Sequence, residues 1–269
     1  MRTDRRVGAA DLATGVRLPY VAQGETSGIP VVLLHAWAES LRCFDRLLPL
    51  LAPTIHAVAM DQRGHGGADK PPDGYALADF AADVVSFMQV LGLPPAVLVG
   101  SSSGGYVAQQ VAVDFPERVA GLLLVGSPRS LHGRLPFADE VETLTDPVTR
   151  AWVEDSLTWF PRFHEVPDWY VADRVDDGVL MPAHVWAKVL AGLTDAVPPT
   201  DRAAITAPTL IIWGERDELL PRAEQEALAA SIPDSRLVVY DATGHLVLWE
   251  QPERVAADLT SFVASLSSA

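Results

Sequence analysis

Short apolar runs alternate with amphipathic stretches along most of this chain, and this alternation limits its possible folds more than any other feature. The apolar runs lie at 31–34, 55–60, 96–99, 121–125, 209–213 and 236–240. They do not alternate apolar with polar residues, which is typical of central strands in a parallel sheet covered on both faces. The sequence therefore predicts an α/β fold with a mostly parallel central sheet and helices on both faces.

The stretches between the apolar runs carry helical periodicity. Phe80, Val84 and Met88 recur at four-residue spacing, which places them on one face of a predicted helix. A second helical face is predicted near 108–115, and a last helix over about 252–266. Strand and helix thus follow one another in the order that a parallel sheet requires.

One segment, 128–206, interrupts this order because it contains no convincing strand. It holds four of the seven tryptophans in the chain, at positions 152, 159, 169 and 186. We interpret it as a helical insertion between two strands of the sheet. The predicted domains are therefore a core formed by 1–127 and 207–269, and an inserted unit formed by 128–206.

Composition excludes several classes of protein. The net charge of −15 and the presence of only two lysines argue against nucleic-acid binding, which depends on cationic side chains. With Cys43 as the only cysteine, an intramolecular disulfide and a cysteine-based zinc site are excluded. Neither a signal peptide nor an apolar window of about 18 residues is found, so we expect a cytoplasmic protein with no membrane segment.

The segment 97–105 is the strongest indication of chemistry. An apolar run enters it, a helical pattern leaves it, and Gly100 and Gly104 flank Ser102 at two residues on either side. A tight strand-to-helix turn of this kind strains the central residue, exposes its side chain and requires small neighbours. Ser102 is the predicted nucleophile, and Ser103 remains an alternative because small residues also flank it.

This G-x-S-x-G turn, at a strand–helix junction, resembles the α/β-hydrolase fold family, and the resemblance covers nearly the whole chain outside 128–206. It implies that His245, in the loop after the last strand, is the general base. It implies that Asp217, after the strand at 209–213, orients that histidine. Glu215 and Glu218 are nearby alternatives for the acid.

The resemblance also implies an oxyanion hole made of two backbone N–H groups. One belongs to Ser103 and the other to Trp37, in a loop similar to the family's His-Gly-x loop. Ala36 stands where the family usually has glycine, and alanine tolerates positive φ poorly, so we expect the local geometry of this loop to differ. His35, and the D-x-R-G-x-G loop at 61–66, are expected to be structural.

In the family, a helical insertion at this place covers the active site as a lid. The resemblance therefore implies an apolar pocket, and the candidate lining residues are Trp152, Trp159, Phe163 and Trp186. The arginines of the insertion could instead bind a carboxylate, but we expect most of them to be solvated or paired with nearby acids; they are Arg129, Arg134, Arg150, Arg162 and Arg174.

The function implied is hydrolysis of an ester or lactone of an apolar or aromatic small molecule through an acyl-enzyme. Carbon–carbon bond hydrolysis, cofactor-free perhydrolysis and slow-turnover small-molecule reception stay open as alternatives on the same triad. A serine nucleophile argues against the dehalogenase and epoxide hydrolase branches, which use aspartate. The chain has neither a P-loop nor an H-E-x-x-H motif, so no cofactor and no metal are expected.

Overall fold

The computed structural model describes residues 5–133 and 135–266. Eight strands form one sheet; in chain order they are β1 (Arg6–Asp11), β2 (Arg17–Gln23), β3 (Pro30–Leu34), β4 (His56–Met60), β5 (Ala96–Ser101), β6 (Val119–Val125), β7 (Thr209–Gly214) and β8 (Ser235–Tyr240). Their order across the sheet is β1-β2-β4-β3-β5-β6-β7-β8. Strands from β4 to β8 pair in parallel, whereas β2 pairs antiparallel with both β1 and β4. This confirms the predicted mostly parallel sheet.

The first two strands are absent from the sequence prediction. β1 lies at the edge of the sheet, and most of its residues are exposed or half-buried. A strand that is only partly covered has no continuous apolar run, and β1 and β2 also include Gly8 and Pro19. The pattern that identifies central strands therefore does not mark these two.

Helices pack on both faces of the sheet. They are α1 (Leu77–Val90), α2 (Ser103–Asp114), α3 (Ala138–Glu142), α4 (Arg150–Ser156), α5 (Asp168–Val179), α6 (Ala183–Thr194), α7 (Pro199–Arg202), α8 (Arg222–Ser231), α9 (Val247–Glu250) and α10 (Pro252–Leu266). Side chains of β3 alternate between two cores, with Val32 and Leu34 in the core that includes α1 and α2. Leu33 faces the second core, which includes Val255 and Leu259 of α10.

Residues 126–208, here called the inter-strand segment, connect β6 to β7 and carry α3 to α7. Apart from Arg134, which lies outside the described residues, the segment contains helices and loops but no strand. Trp186 of α6 is buried, and its indole N–H donates to the carbonyl oxygen of Gly178 in α5 at 3.1 Å. Most of its buried apolar side chains, Trp186 among them, belong to the same core as those of α1 and α2.

The carboxyl ends of the parallel strands meet at one edge of the sheet. Leu34 of β3 is in register with Gly100 of β5, and Gly100 is in register with Leu124 of β6. Gly214 of β7 is paired in the same way with Tyr240 of β8. The loops that leave these strands are consequently neighbours, and every candidate catalytic residue lies in one of them.

The loop at 61–66 is tied into the fold by buried charges. The Arg63 guanidinium donates twice to the Asp83 carboxylate of α1, with both N–O distances at 2.6 Å. The Asp61 carboxylate accepts the backbone N–H groups of Leu41 and Gly67. These contacts join three parts of the chain, which is a structural role. In the described parts of the chain, no helix combines the length and apolar character needed to cross a membrane.

Candidate active site

The turn between β5 and α2 holds Ser102 in a strained backbone conformation. Its φ is 47° and its ψ is −119°, a region that residues other than glycine seldom adopt. A Cβ atom at Gly100 would overlap the backbone of Gly105, and one at Gly104 would overlap the carbonyl oxygen of Leu34. The two glycines are therefore required by close backbone approach, and the turn they permit leaves the Ser102 side chain half-buried at the sheet edge.

The Ser102 hydroxyl lies against His245. Its Oγ is 2.9 Å from His245 Nε2. The Oγ of Ser103, the alternative nucleophile, instead accepts the backbone N–H of Trp37 at 2.7 Å. The structure thus brings Ser102, and not Ser103, into hydrogen-bond contact with the histidine.

Asp217 completes a hydrogen-bonded chain with these two residues. Its Oδ2 accepts from His245 Nδ1 at 2.7 Å, and the side chains of both residues are buried. The other oxygen, Oδ1, accepts the backbone N–H groups of Leu219 and Leu220. Because a carboxylate can only accept, His245 carries its proton on Nδ1, and Nε2 is free to accept the Ser102 proton.

The two glutamates considered as alternatives to Asp217 point elsewhere. Glu215 and Glu218 are both exposed. The Glu215 carboxylate accepts the backbone N–H of Ala242 at 3.1 Å, and so stabilises the loop after β8 from its solvent-exposed side. Asp217 is the residue of this group that the structure brings to His245.

The loop that carries His245 is fixed by a buried carboxylate that the sequence did not indicate. Glu250 of α9 accepts the backbone N–H of Gly244 with one oxygen, at 3.0 Å. Its other oxygen accepts the backbone N–H groups of Phe163 and His164, in the inter-strand segment. The Glu250 side chain therefore connects the loop that carries His245 to the inter-strand segment.

The loop after β3 differs from the sequence prediction in where its strain falls. Positive φ occurs at Ala38, with a value of 65°, and not at Ala36. Alanine at position 36 is therefore accommodated without left-handed backbone. The Trp37 N–H points to the Ser103 hydroxyl, so the two expected oxyanion donors, Trp37 and Ser103, are neighbours, but one of them already has an acceptor.

A cavity of about 90 Å³ opens beside Ser102 and His245. Its wall is mostly apolar and comes largely from the inter-strand segment, through Leu131, Leu135, Phe137, Val153, Leu157, Trp159, Phe160, Trp186, Leu190 and Leu193. Trp37 closes another side, with its ring stacked on Phe137 at a centroid distance of 5.7 Å. The Phe160 ring stacks on the His245 imidazole at 5.3 Å, so the inter-strand segment also touches the candidate base.

Two of the four predicted lining residues, Trp159 and Trp186, contact the cavity. Trp152 does not, because it lies behind them and packs edge-on against both rings. Phe163 is also outside the cavity wall; it is 38% exposed and lies under the Arg216 guanidinium. The sequence showed that this segment is rich in aromatic residues. Which of their rings line the cavity and which pack behind it depends on how the helices pack, and the sequence does not show this.

Two charged residues, Glu39 and Arg174, also line the cavity, and both are buried. Glu39 accepts from the Trp249 indole N–H at 2.6 Å and from the Ala36 N–H at 3.2 Å. The half-buried Arg129 and the exposed Arg150 pair with Asp201 and Asp176, as the sequence predicted for most arginines of this segment. Arg174 differs from them because its side chain is buried. The sequence contained one sign of this: Arg174 lies four residues after Tyr170, and so on the same face of the helix, which is buried.

The other histidines near the site are structural. His35 donates from Nδ1 to the Ala36 carbonyl and accepts the Gln62 N–H on Nε2, so both ring nitrogens are used within the loops. Burial lowers the pKa of His35 well below its usual value and that of His65 to about 4, so both rings are neutral at pH 7. Within residues 5–133 and 135–266, no group of three or more His, Cys, Asp or Glu side chains is placed to hold a metal ion.

Comparisons with known proteins agree with the fold described above. The family model described as alpha/beta hydrolase fold matches residues 29–252. The chain is similar to a non-heme chloroperoxidase of Streptomyces lividans, with 27% identity covering 96% of this chain and 100% of that protein. Among solved structures, an esterase from Exiguobacterium antarcticum is 25% identical, with a TM-score of 0.84 and coverage of 96% and 100%. Est816, described as an N-acyl homoserine lactone degrading enzyme, is 30% identical, with a TM-score of 0.80 and coverage of 95% and 100%.

Proposed function

The chain belongs to the alpha/beta hydrolase fold family, and on that basis we propose that it is a serine hydrolase of carboxylic esters or lactones. The observation that carries the proposal is the hydrogen-bonded chain from Ser102 through His245 to Asp217, set against an apolar cavity. The esterase and the lactone-degrading enzyme among the similar structures support the same class of substrate.

Acylation begins with attack of Ser102 Oγ on the substrate carbonyl carbon. His245 Nε2, 2.9 Å away, accepts the hydroxyl proton, and the resulting imidazolium is stabilised by Asp217. Collapse of the tetrahedral intermediate breaks the ester bond to the alcohol, which takes the proton from His245. A lactone reacts in the same way, but its alcohol stays attached to the acyl group.

The negative oxygen of the intermediate needs donors that are already in place. Ser103 is the first residue of α2, so its N–H lies in the helix turn that has no intrahelical acceptor. The Trp37 N–H is the second donor, and to reach it the substrate oxygen replaces the Ser103 hydroxyl that it contacts in the free protein. Water then attacks the acyl-enzyme with His245 as base, which releases the acid and restores Ser102.

The apolar cavity indicates the substrate class. Most of the apolar residues in its wall belong to the inter-strand segment, which we propose is the lid of the site. Burial of each additional substrate methylene there is worth about 0.8 kcal/mol. We therefore propose that the substrate is a small molecule with an apolar aliphatic or aromatic acyl group.

Covalent labelling tests the nucleophile. A fluorophosphonate probe should form an adduct on Ser102, located by peptide mass spectrometry, and Ser102→Ala should abolish labelling. The same variant should lower kcat for 4-nitrophenyl esters by about 10⁶-fold, as loss of a triad nucleophile does. Ser103→Ala is the matched control and should still be labelled at Ser102. An adduct on Ser103, or unchanged turnover by Ser102→Ala, would overturn the assignment.

A second reaction is supported by the Streptomyces lividans relative, which is described as a non-heme chloroperoxidase. If hydrogen peroxide instead of water attacks the acyl-enzyme, the product is a peroxyacid. Formation of peroxyacid from a short acyl ester and hydrogen peroxide, dependent on Ser102, would establish this activity. If no peroxyacid formed while the same ester was hydrolysed, the protein would be a hydrolase only.

A further inference from the structure

Arg174 is buried in the wall of the cavity that holds the candidate nucleophile. It extends from α5, its side chain is 1% exposed, and it lines the same cavity as Ser102 and His245. Its guanidinium lies over the ring of Tyr170, 4.8 Å from the centroid. A buried arginine in a mostly apolar wall is costly unless its donors are used, so its hydrogen bonds need to be accounted for.

The guanidinium of Arg174 has donors to spare. The only carboxylate within ion-pair distance in the described part of the chain is Asp177, with its Oδ2 2.8 Å from Arg174 Nη2. This close contact is an ion pair that is not aligned as a hydrogen bond: Nε, Nη1 and Nη2 of Arg174 and Oδ2 of Asp177 are all buried without a hydrogen-bond partner. Charge is compensated here, but the directional donors are not satisfied.

We propose that Arg174 is a specificity-determining residue, which donates hydrogen bonds to an oxygen atom of the substrate remote from the bond that is cleaved. This inference rests on the proposed hydrolase function and narrows its substrate class. The substrate is an ester or lactone whose otherwise apolar chain carries a hydrogen-bond acceptor, and the acceptor satisfies donors that are unpartnered in the free protein.

The charges around Arg174 favour a neutral acceptor over a carboxylate. Asp177 already balances the guanidinium, and Glu39, a second buried carboxylate, lines the same cavity. Arg42 is closer to solvent; it is engaged by Asp173, and its Nη1 also lies 3.8 Å from Oδ1 of Asp177. A substrate carboxylate would therefore add a third negative charge around one buried guanidinium, whereas a carbonyl, ether or hydroxyl oxygen adds none.

A series of 4-nitrophenyl esters tests the proposal with the wild-type protein alone. Straight-chain acyl esters are compared with analogues in which one methylene at a time is replaced by an ether oxygen, and with one that ends in a carboxylate. Each kcat/KM is divided by the rate of the same ester with hydroxide, which removes intrinsic reactivity. At one oxygen position the ratio should exceed that of the all-carbon parent by about tenfold or more.

Variants then locate the donor. The preference for that ether ester should fall to unity or below in the double variant Arg174→Met/Asp177→Asn, which removes both buried charges together. The preference should persist in Arg150→Met, which removes an exposed arginine of the same segment. It should also persist in Trp37→Phe. This variant tests a rival donor, since the indole N–H of Trp37 is also unpartnered and Trp37 also lines the cavity.

Four results would overturn the proposal. They are the absence of any ether ester preferred by the wild type, a preference for the carboxylate ester, loss of the preference in Trp37→Phe, and its survival in a folded double variant. The first of these does not depend on the folding of any variant. Turnover of the all-carbon esters reports separately on the proposed hydrolase function, so rapid hydrolysis without any ether preference would remove the role of Arg174 alone.

Discussion

At the scale of single residues, Asp217 shows how a side chain becomes committed to one partner. Two backbone N–H groups fix its Oδ1, which leaves Oδ2 directed at His245 Nδ1. The carboxylate can therefore hold the imidazole in one tautomer and one orientation. The neighbouring Glu218 is exposed and lacks this setting.

Asp217→Asn should therefore disable the base while the fold persists. The amide keeps the size of the carboxylate, but it does not stabilise the imidazolium and it favours the wrong tautomer. We expect kcat to fall by about 10⁴-fold, as in a comparable serine hydrolase triad. Ester turnover and circular dichroism measure the two effects. Glu218→Gln, the control on the same loop, should retain turnover; the opposite ranking of the two variants would show that the acid is misassigned.

Much of the candidate site could be predicted from the sequence because its residues are marked by position relative to strands. Ser102, Asp217 and His245 each follow an apolar run, and the structure brings the three together. The choice between Ser102 and Ser103 depended on flanking glycines. The structure explains these glycines, because a Cβ atom at either position would overlap the backbone of the turn or of the neighbouring strand. Arg174 was not distinguished from the other arginines of its segment, since its burial results from the packing of α5 against distant loops.

At the scale of elements, Glu250 connects parts of the chain that the sequence gives no reason to associate. Its carboxylate accepts the N–H of Gly244 next to His245, and those of Phe163 and His164 in the inter-strand segment. The loop of the candidate base and the segment that forms the cavity wall therefore depend on one buried group.

Glu250→Gln should weaken both attachments. A glutamine amide presents an N–H₂ group where one carboxylate oxygen accepted, so at least one backbone N–H loses its acceptor. We expect the free energy of unfolding to fall by about 1–3 kcal/mol. Turnover should fall as well, because His245 loses its fixed position. Urea unfolding and ester kinetics measure the two effects.

Glu253→Gln is the matched control for that substitution. Glu253 lies at the start of α10, and its side chain is 70% exposed. Substitution there should leave stability and turnover close to those of the wild type. If the Glu250 and Glu253 variants behaved alike, Glu250 would have no special role in holding the loop.

The central elements of the fold could be predicted because burial on both faces leaves a continuous apolar run, as in β3 and β5. The edge strand β1 and its neighbour β2 could not, since they are partly exposed and lack such a run. The loop after β3 shows a different limit. Its left-handed residue is Ala38 and not Ala36, and only the packing of the whole loop decides which residue takes that conformation.

At the scale of the whole molecule, the response of stability to pH depends on buried histidines. The usual pKa of histidine is 6.5, whereas burial lowers that of His65 in the folded protein to about 4. Between these values the unfolded chain binds a proton that the folded protein does not bind. The free energy of unfolding should therefore fall as the pH decreases from 6.5 to about 4, and His65 should have no such effect above that range.

His65→Gln should flatten this fall. Glutamine retains a donor for the Arg63 carbonyl, which His65 Nδ1 contacts at 2.8 Å, but it does not titrate. The difference between wild type and variant should change by up to about 1.4 kcal/mol per pH unit within the window. Urea unfolding at a series of pH values from neutral to mildly acidic measures it. Stability curves that stay parallel throughout would contradict the assignment. Burial also raises the pKa of Asp177, to about 6, but its contribution cancels in this comparison because both proteins contain it.

The cavity wall and the proposed reacting groups come from different parts of the chain. Ser102, Asp217 and His245 stand on loops of the sheet, whereas most apolar wall residues belong to the inter-strand segment. Mutation and selection can therefore act on the two sets separately. A library of substitutions confined to α4, α5 and α6 offers new selectivities without altering the reaction chemistry, provided that the attachments to Glu250 are kept. For protein engineering, this chain is a scaffold whose selectivity can be evolved in one contiguous stretch.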